Sequence, residues 1–223
     1  MFPRNAISLD PRLSAIRDLA GSCGNFADIG TDHGRLGAHM LLAGLCRFAQ
    51  LTEVSERSLA KARELIGALG LSDRVRFLVG DGVEALEDPP DVAVIAGMGG
   101  RTIAGIVERG REILAHARIV MQPNVAAPEL RLRLQRAGFR IADEMIAKDG
   151  RRLYVVIAAE AGRMELSPEE IEVGPVLLKN RPGALADYAA FKIRVLKKAL
   201  ADAEGAELRR KLGIWEALNH GDR

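Results

Sequence analysis

Two aspartates sit inside one glycine turn, in the stretch Asp28-Ile29-Gly30-Thr31-Asp32-His33-Gly34, just after a short apolar run and just before a helical pattern. A glycine turn that opens a helix offers backbone N–H groups and the positive end of a dipole, which suits a pyrophosphate. Asp28 and Asp32 oppose such a ligand by charge. A ligand with an ammonium group, a second cationic centre and no phosphate is attracted instead. The bland alternative is that Asp28 only ends a strand and Asp32 only caps the next helix.

Later residues extend the same chemistry. Glu53, followed by Val54, stands near the distance from Gly30 at which an acid accepts hydrogen bonds from ribose hydroxyls; its other reading is a cap for a helix starting near Ser55. Asp81 with Gly82 offers a carboxylate to an adenine amino group, or simply makes a turn. Ala96-Gly97-Met98-Gly99-Gly100 lets backbone approach a ligand closely. Gln122-Pro123-Asn124 holds two amides around a rigid proline; amides read a base edge, and Asn124 is also a possible helix cap. S-adenosylmethionine is the common cofactor with an ammonium, a sulfonium, a ribose and an adenine. Ile29, His33 and the 96–99 run belong to the same expected lining, and Asp32 is the candidate catalytic group.

The pattern that must position these residues is that of an α/β fold. Short, largely apolar runs at 26–29, 48–54, 75–79, 91–96 and 118–122 predict strands of a mostly parallel sheet covered on both faces. Helical patterns at 36–45, 55–69, 102–109 and 128–137 lie between them. The runs 139–147 and 153–159, joined through Asp149-Gly150, predict a hairpin and hence an antiparallel edge. Beyond Ala161 the pattern becomes helical: a capped start at Ser167-Pro168-Glu169-Glu170, then helices at 185–203 and 206–218 around Gly205. The expected division is a catalytic domain over 1–160 and a helical appendage over 161–223. On a helical projection Leu185, Tyr188, Phe191, Val195, Leu196 and Leu200 share one face, and Arg194, Lys197 and Lys198 the opposite one.

The 223 residues carry a net charge of only +2, so any nucleic-acid surface must be local. The span 173–200 supplies one, with six cationic residues against Asp187 alone. Cys23 and Cys46 stand far apart and read as small apolar residues of a reduced protein, and the histidines 33, 39, 116 and 220 show no metal-ligand spacing. No metal is expected. The start, MFPRNAISLDPRL, lacks an apolar signal core, and no stretch approaches the roughly 20 apolar residues of a membrane span. A cytoplasmic location without membrane contact is therefore expected.

A nicotinamide enzyme competes for the same turn. Gly30-x-x-x-Gly34-x-x-Gly37 and Tyr188-x-x-x-Lys192 mimic features of short-chain dehydrogenases. Against it stand the acids in the turn, Pro175 near the expected partner serine, and Tyr188 lying beyond the sheet on an apolar helix face. Tyr188 therefore reads as core and Lys192 as a stem that carries its charge to solvent.

Taken together, Ala27-Asp28-Ile29-Gly30-Thr31-Asp32-His33, Ile95-Ala96-Gly97-Met98-Gly99-Gly100, Gln122-Pro123-Asn124, Asp149-Gly150 before Tyr154, and Gly174-Pro175-Val176-Leu177-Leu178 resemble one family. It is the bacterial tRNA adenine-N1-methyltransferases that modify adenine 22 of the D-loop. The resemblance implies a Rossmann-like class I methyltransferase domain with a seven-stranded sheet, S-adenosylmethionine as cofactor, and a C-terminal coiled-coil-like helical part that helps hold tRNA. It implies that Asp28, Gly30, Asp32 and Glu53 contact the cofactor's amino acid and ribose portions, and Asp81 with Gly82 its adenine. Where the family often carries Ala-Tyr-Leu-Pro, this chain has Gly34-Arg35-Leu36-Gly37, and Val155 follows Tyr154 in place of a glutamate. Arg35 then takes over stacking or phosphate binding. The expected substrate contacts are Arg35, Gly100, Arg101, Gln122, Asn124, Arg151, Arg152 and Tyr154 near the pocket, with Arg194, Lys197 and Lys198 on the appendage. No protein partner is evident. A methyltransferase for small molecules and a catalytically silent RNA-binding protein are the rival readings.

Overall fold

The computed structural model describes residues 7–202 and 205–220. Residues 1–6, the first part of the stretch MFPRNAISLDPRL, and residues 203–204 and 221–223 lie outside the described residues, as does the side chain of His220. The first element among the described residues is a helix, α1 (Pro11–Ala20), absent from the pattern read above. Its start was nonetheless encoded: the Asp10 side chain accepts from the Leu13 N–H at 2.7 Å, and Pro11 opens the first turn.

Strands β1 (Asn25–Ile29), β2 (Phe48–Glu53), β3 (Val75–Val79), β4 (Val92–Gly99), β5 (Arg118–Val125), β6 (Phe139–Asp149) and β7 (Arg152–Ala161) form one sheet in the order β3-β2-β1-β4-β5-β7-β6. The first five run parallel, while β7 runs antiparallel to both β5 and β6, as the Asp149-Gly150 hairpin predicts. Strand order reverses at β1, between β2 and β4. That is where an open α/β sheet leaves a crevice beyond its strand ends.

Helices α2 (Arg35–Leu42) and α3 (Glu56–Ala68) join α1 on one face of the sheet; α4 (Gly100–Arg109) and α5 (Ala127–Ala137) cover the other. Within β1 the alternation is direct: Phe26 packs toward α1 and α2, whereas Ala27 and Ile29 pack toward α4 and α5. Every β1 residue after Asn25 is buried, which is why the strand reads as apolar throughout apart from Asp28.

Two strands outrun their sequence limits. β4 continues through Gly97, Met98 and Gly99, and β5 through Pro123 and Asn124 to Val125. Pairing survives there because irregularities between Ala96 and Met98 and between Met98 and Gly99 absorb the glycines. The small-residue run is thus strand edge, and α4 starts immediately at Gly100. A side chain at Gly100 would strike the Ala126 carbonyl, so only glycine fits there.

Four helices follow: α6 (Pro168–Val173), α7 (Pro175–Asn180), α8 (Ala184–Asp202) and α9 (Ala206–His220). Ser167 and Glu170 form the expected capping box. These helices share a third apolar cluster centred on Trp215, Leu177, Leu185 and Ala189. The face of α8 differs from the projection: Leu185, Ala189 and Leu196 are buried, while Phe191 and Val195 are exposed beside Arg194. Leu185 and Leu196 keep their projected place, but Ala189 and not Phe191 or Val195 joins them in the cluster with Trp215. Tyr188 is core as expected, edge-on to Trp215. Lys192 does not reach free solvent; its Nζ lies 3.5 Å from Glu172 Oε1.

A buried ion pair ties these helices to the sheet. Arg131 of α5 donates from Nε to Glu144 of β6 at 2.8 Å, with both side chains essentially inaccessible. Glu144 also accepts from the Val176 and Leu177 N–H groups at the start of α7, and Arg131 donates to the Ile171 and Glu172 carbonyls of α6. Glu172 in turn accepts from the Trp215 indole at 2.8 Å.

Among the described residues, no helix is long and apolar enough to cross a membrane, and no cluster of His, Cys, Asp or Glu is arranged to hold a metal. The two cysteines, distant in sequence, are neighbours below β1 and β2. Each thiol shifts the other's proton affinity through a thiol–thiol hydrogen bond, Cys23 downward and Cys46 upward.

Candidate active site

A cavity of about 870 Å³ opens beyond the carboxyl ends of β1, β2, β3 and β4. Asp28, Ile29, Gly30, Asp32, His33, Arg35, Glu53, Val54, Asp81, Gly82, Ala96, Gly97 and Met98 all line it. Four strand-end segments distant in sequence therefore meet around one space. Gly99 lies just outside the lining, in the last position of β4.

The acids differ in their surroundings. Asp28 is buried, and its Oδ2 accepts from the Thr31 hydroxyl at 2.7 Å. Burial pushes its carboxyl up to about 6; the Thr31 bond pulls down, the nearby Glu53 charge pushes up, and Arg12 pulls down. Asp32 is exposed and takes a left-handed backbone, φ 50°, with Oδ2 2.6 Å from His33 Nδ1. It does not cap α2: the cap position is Gly34, which has no side chain to offer. Glu53 is likewise no helix cap, because Ser55 fills that role for α3 by accepting from Ser58 N–H. Glu53 accepts from the Val54 N–H, at 2.9 Å. Asp81 is exposed and pairs with Arg109 at 3.2 Å.

Glycine makes the floor. Gly30 sits at φ 75°, and a Cβ there would collide with the Met98 methyl, so the backbone of β1 and the Met98 side chain meet with no room between. Acids for an ammonium and a diol, a low glycine floor and a thioether at its edge suit a cationic nucleoside. They do not suit a pyrophosphate.

Of the residues named for the other substrate, Arg35 lines this cavity, whereas Gly100, Arg101, Gln122, Asn124, Arg151, Arg152, Tyr154, Arg194, Lys197 and Lys198 do not. Gln122 is buried and Asn124 exposed at the end of β5; Asn124 is no cap for α5, whose cap position is Ala126. Asn124 donates from Nδ2 to the Gly97 carbonyl at 2.6 Å. Gly100 and Arg101 open α4, Arg151 and Arg152 sit at the β6–β7 turn, and Tyr154 is half-buried beneath the Arg12 guanidinium, 5.9 Å from its ring centre. Arg194 and Lys198 are exposed on α8, whereas Lys197 is engaged with Glu216 of α9 at 2.9 Å.

The model of the family described as tRNA (adenine(22)-N(1))-methyltransferase matches residues 26–217. The chain belongs to this family. A Bacillus subtilis tRNA (adenine(22)-N(1))-methyltransferase is 30% identical over 185 residues, 79% of this chain and 78% of its own length. The crystal structure of the B. subtilis enzyme TrmK covers 96% of this chain and 97% of its own at a TM-score of 0.80 and 26% identity. Streptococcus pneumoniae Sp1610, solved in complex with S-adenosyl-L-methionine, covers 96% and 100% at a TM-score of 0.88 and 30% identity. The matched range contains every strand of the methyltransferase except the first residue of β1, and it leaves out α1.

Sequence reasoning missed part of this methyltransferase cavity. Asp10, Arg12 and Leu13 reach it from α1, Thr31 and Thr52 from β-strand ends, and Thr102 and Ile106 from α4. The Asp10-Pro11 cap was a legible signal for α1. Nothing local showed that the first turn of α1 reaches the strand-end cavity.

Proposed function

We propose that this chain transfers the methyl group of S-adenosyl-L-methionine to N1 of adenine 22 in tRNA. The observation that carries the reading is the strand-end cavity, where Asp28, Asp32, Glu53 and Asp81 converge over the Gly30 floor; membership of the tRNA (adenine(22)-N(1))-methyltransferase family supports the target. When bound, the cofactor supplies an activated methyl on a sulfonium. Asp28, at the switch point, accepts from the cofactor's ammonium; Glu53 accepts from the ribose hydroxyls; Asp81 and Gly82 meet the adenine edge.

Adenine N1 already has a lone pair, so the chain's main contribution is placement. N1 lies on the pairing edge, and the base must leave its stack to enter. Asp32, exposed at the cavity mouth, stabilises the cationic product base or takes its N6 proton. Arg35, Arg101, Arg151 and Arg152 hold phosphates around the mouth, with Arg194 and Lys198 along α8. Lys197 contributes less, since Glu216 already neutralises it. A tRNA substrate goes with a cytoplasmic site of action.

Incubation of unmodified tRNA with S-adenosyl-L-methionine, followed by nucleoside mass spectrometry, tests this reading. N1-methyladenosine at position 22 is expected; methylation of a metabolite without tRNA, or none at all, overturns it. For the tRNA surface, removal of the helical part is the wrong experiment, because it would strip Glu144 of its α7 partners. The double reversal Arg194→Glu/Lys198→Glu instead should weaken tRNA binding and flatten its salt dependence.

A further inference from the structure

Arg12 joins the cavity to the end of β5. It lines the pocket from the first turn of α1, within electrostatic reach of Asp28. On its other side, Arg12 Nη1 donates to Gln122 Oε1 at 3.1 Å, Gln122 Nε2 donates to Asn124 Oδ1 at 3.1 Å, and Asn124 Nδ2 donates to the Gly97 carbonyl at 2.6 Å. These four groups form one chain of hydrogen bonds running α1, β5, β4, all in the same sense. Arg has donors only, so its presence decides which end of the Gln122 amide faces it. That choice decides the orientation of Asn124, and so what holds the Gly97 carbonyl.

Gly97 matters because it sits at φ 78° in the irregularity of β4, next to Met98, which packs on Gly30. The far end of the chain is thus the wall between the cofactor floor and the end of β5. From the strand order, the base must approach on that side, since the ribose and adenine acids Glu53 and Asp81 lie on the other, at β2 and beyond β3. We infer that Arg12 is a positioning residue for methyl transfer: it orders the Gln122–Asn124 amides and the Gly97–Met98 wall against which the target base is set. The inference rests on the methyl-transfer reading above. It makes α1, which lies outside the family match, a functional element and not only a cover for the core.

The test compares Arg12→Met, Arg12→Lys and Gln122→Met, with calorimetric affinity for S-adenosyl-L-homocysteine and steady-state methylation of tRNA at pH 8. Misplacement of the base-side wall should lower kcat by roughly ten- to a hundredfold in Arg12→Met. Homocysteine-product affinity should stay within about threefold of the parent, because the cofactor acids are kept and Arg12 is the weakest of the influences on Asp28. Arg12→Lys keeps one donor for Gln122 and should recover much of the rate. Gln122→Met should match Arg12→Met, and the double variant should be no slower than either single one, since all three cut the same chain.

Equal rates in Arg12→Met and the parent overturn the inference. So do losses that multiply in the double variant, or a fall in product affinity that parallels the fall in rate. Where Arg12→Met does not fold, Arg12→Lys with Gln122→Met gives the same reading, and full independence of their effects counts against it. A parent protein that binds the cofactor product and methylates tRNA while Arg12 is dispensable sinks this inference alone. A parent that makes no N1-methyladenosine sinks the reading beneath it.

Discussion

The strand-end cavity and the junction beneath α6 and α7 both contain charged side chains, but they treat them in opposite ways. At the junction, Glu144 has Arg131 and two backbone N–H groups, and Glu172 has the Trp215 indole and Lys192. In the cavity, Asp28 is equally buried yet receives one hydroxyl, and its carboxyl is held up near 6 by desolvation. Buried charge that is matched by partners fastens elements together. Buried charge left short of partners is waiting for a ligand to supply them, at a cost in stability that the rest of the fold must offset.

The sharpest break of this comparison is functional. Asp32→Asn should keep S-adenosyl-L-homocysteine binding measurable while turnover falls by about 10²- to 10⁴-fold. Unchanged turnover in a tRNA methylation assay removes Asp32 from the chemistry.

The junction should respond to loss of one partner with a loss of fold stability. Glu144→Ala strands the Arg131 guanidinium and should cost about 3–5 kcal/mol in urea unfolding. Arg131→Met/Glu144→Leu should recover most of that, because neither charge is then left alone. A double variant as unstable as the single one would show that the charges themselves, and not their pairing, hold the helices.

Asp28 should behave the other way round. Its folded-state value is raised from 3.8 to about 6, so the protonated form is the one the fold prefers. Stability from this group is therefore complete below about pH 4 and is lost as pH rises through about 6, a difference of about 3 kcal/mol by pH 8. Asp28→Asn should raise the ligand-free stability by that order at pH 8 and by nothing near pH 4, while weakening cofactor binding. In the parent, cofactor affinity should fall below pH 6 as the anion is lost. A destabilised Asp28→Asn at pH 8 would place Asp28 with the architectural charges.

The smallest effect belongs to Ser167, whose capping box starts α6. Ser167→Ala should cost about 1 kcal/mol in thermal or urea unfolding and leave methylation unchanged.

Much of this was legible along the chain. Period and turn signals marked the seven strands, the antiparallel hairpin at Asp149-Gly150 and the capped start at Ser167. The convergence of acids and glycines on the strand-end cavity was legible for the same reason: parallel strands put their carboxyl ends on one side, so residues that end strands meet by topology. The extension of β4 and β5 through glycine and proline was not legible, because those residues argue against strand and only the neighbouring edge overrides them. The apolar face of α8 was misread at Phe191 and Val195, which are exposed, because an amphipathic pattern says that one side is buried and not which neighbour arrives.

The sequence by itself determined which chemistry the site is suited to, since the charge of Asp28 and Asp32 and the flexibility of Gly30 and Gly97 are properties of the residues wherever they fall. Only the tertiary structure decided which of those charges are partnered. Arg131 and Glu144 are thirteen residues apart on different elements, and Arg12 meets Gln122 across a separation of 110 residues. No local pattern encodes such pairs. They exist because burying the apolar faces of α1, α5 and α7 brings the polar groups of those helices out of water, where they must find partners or remain unsatisfied.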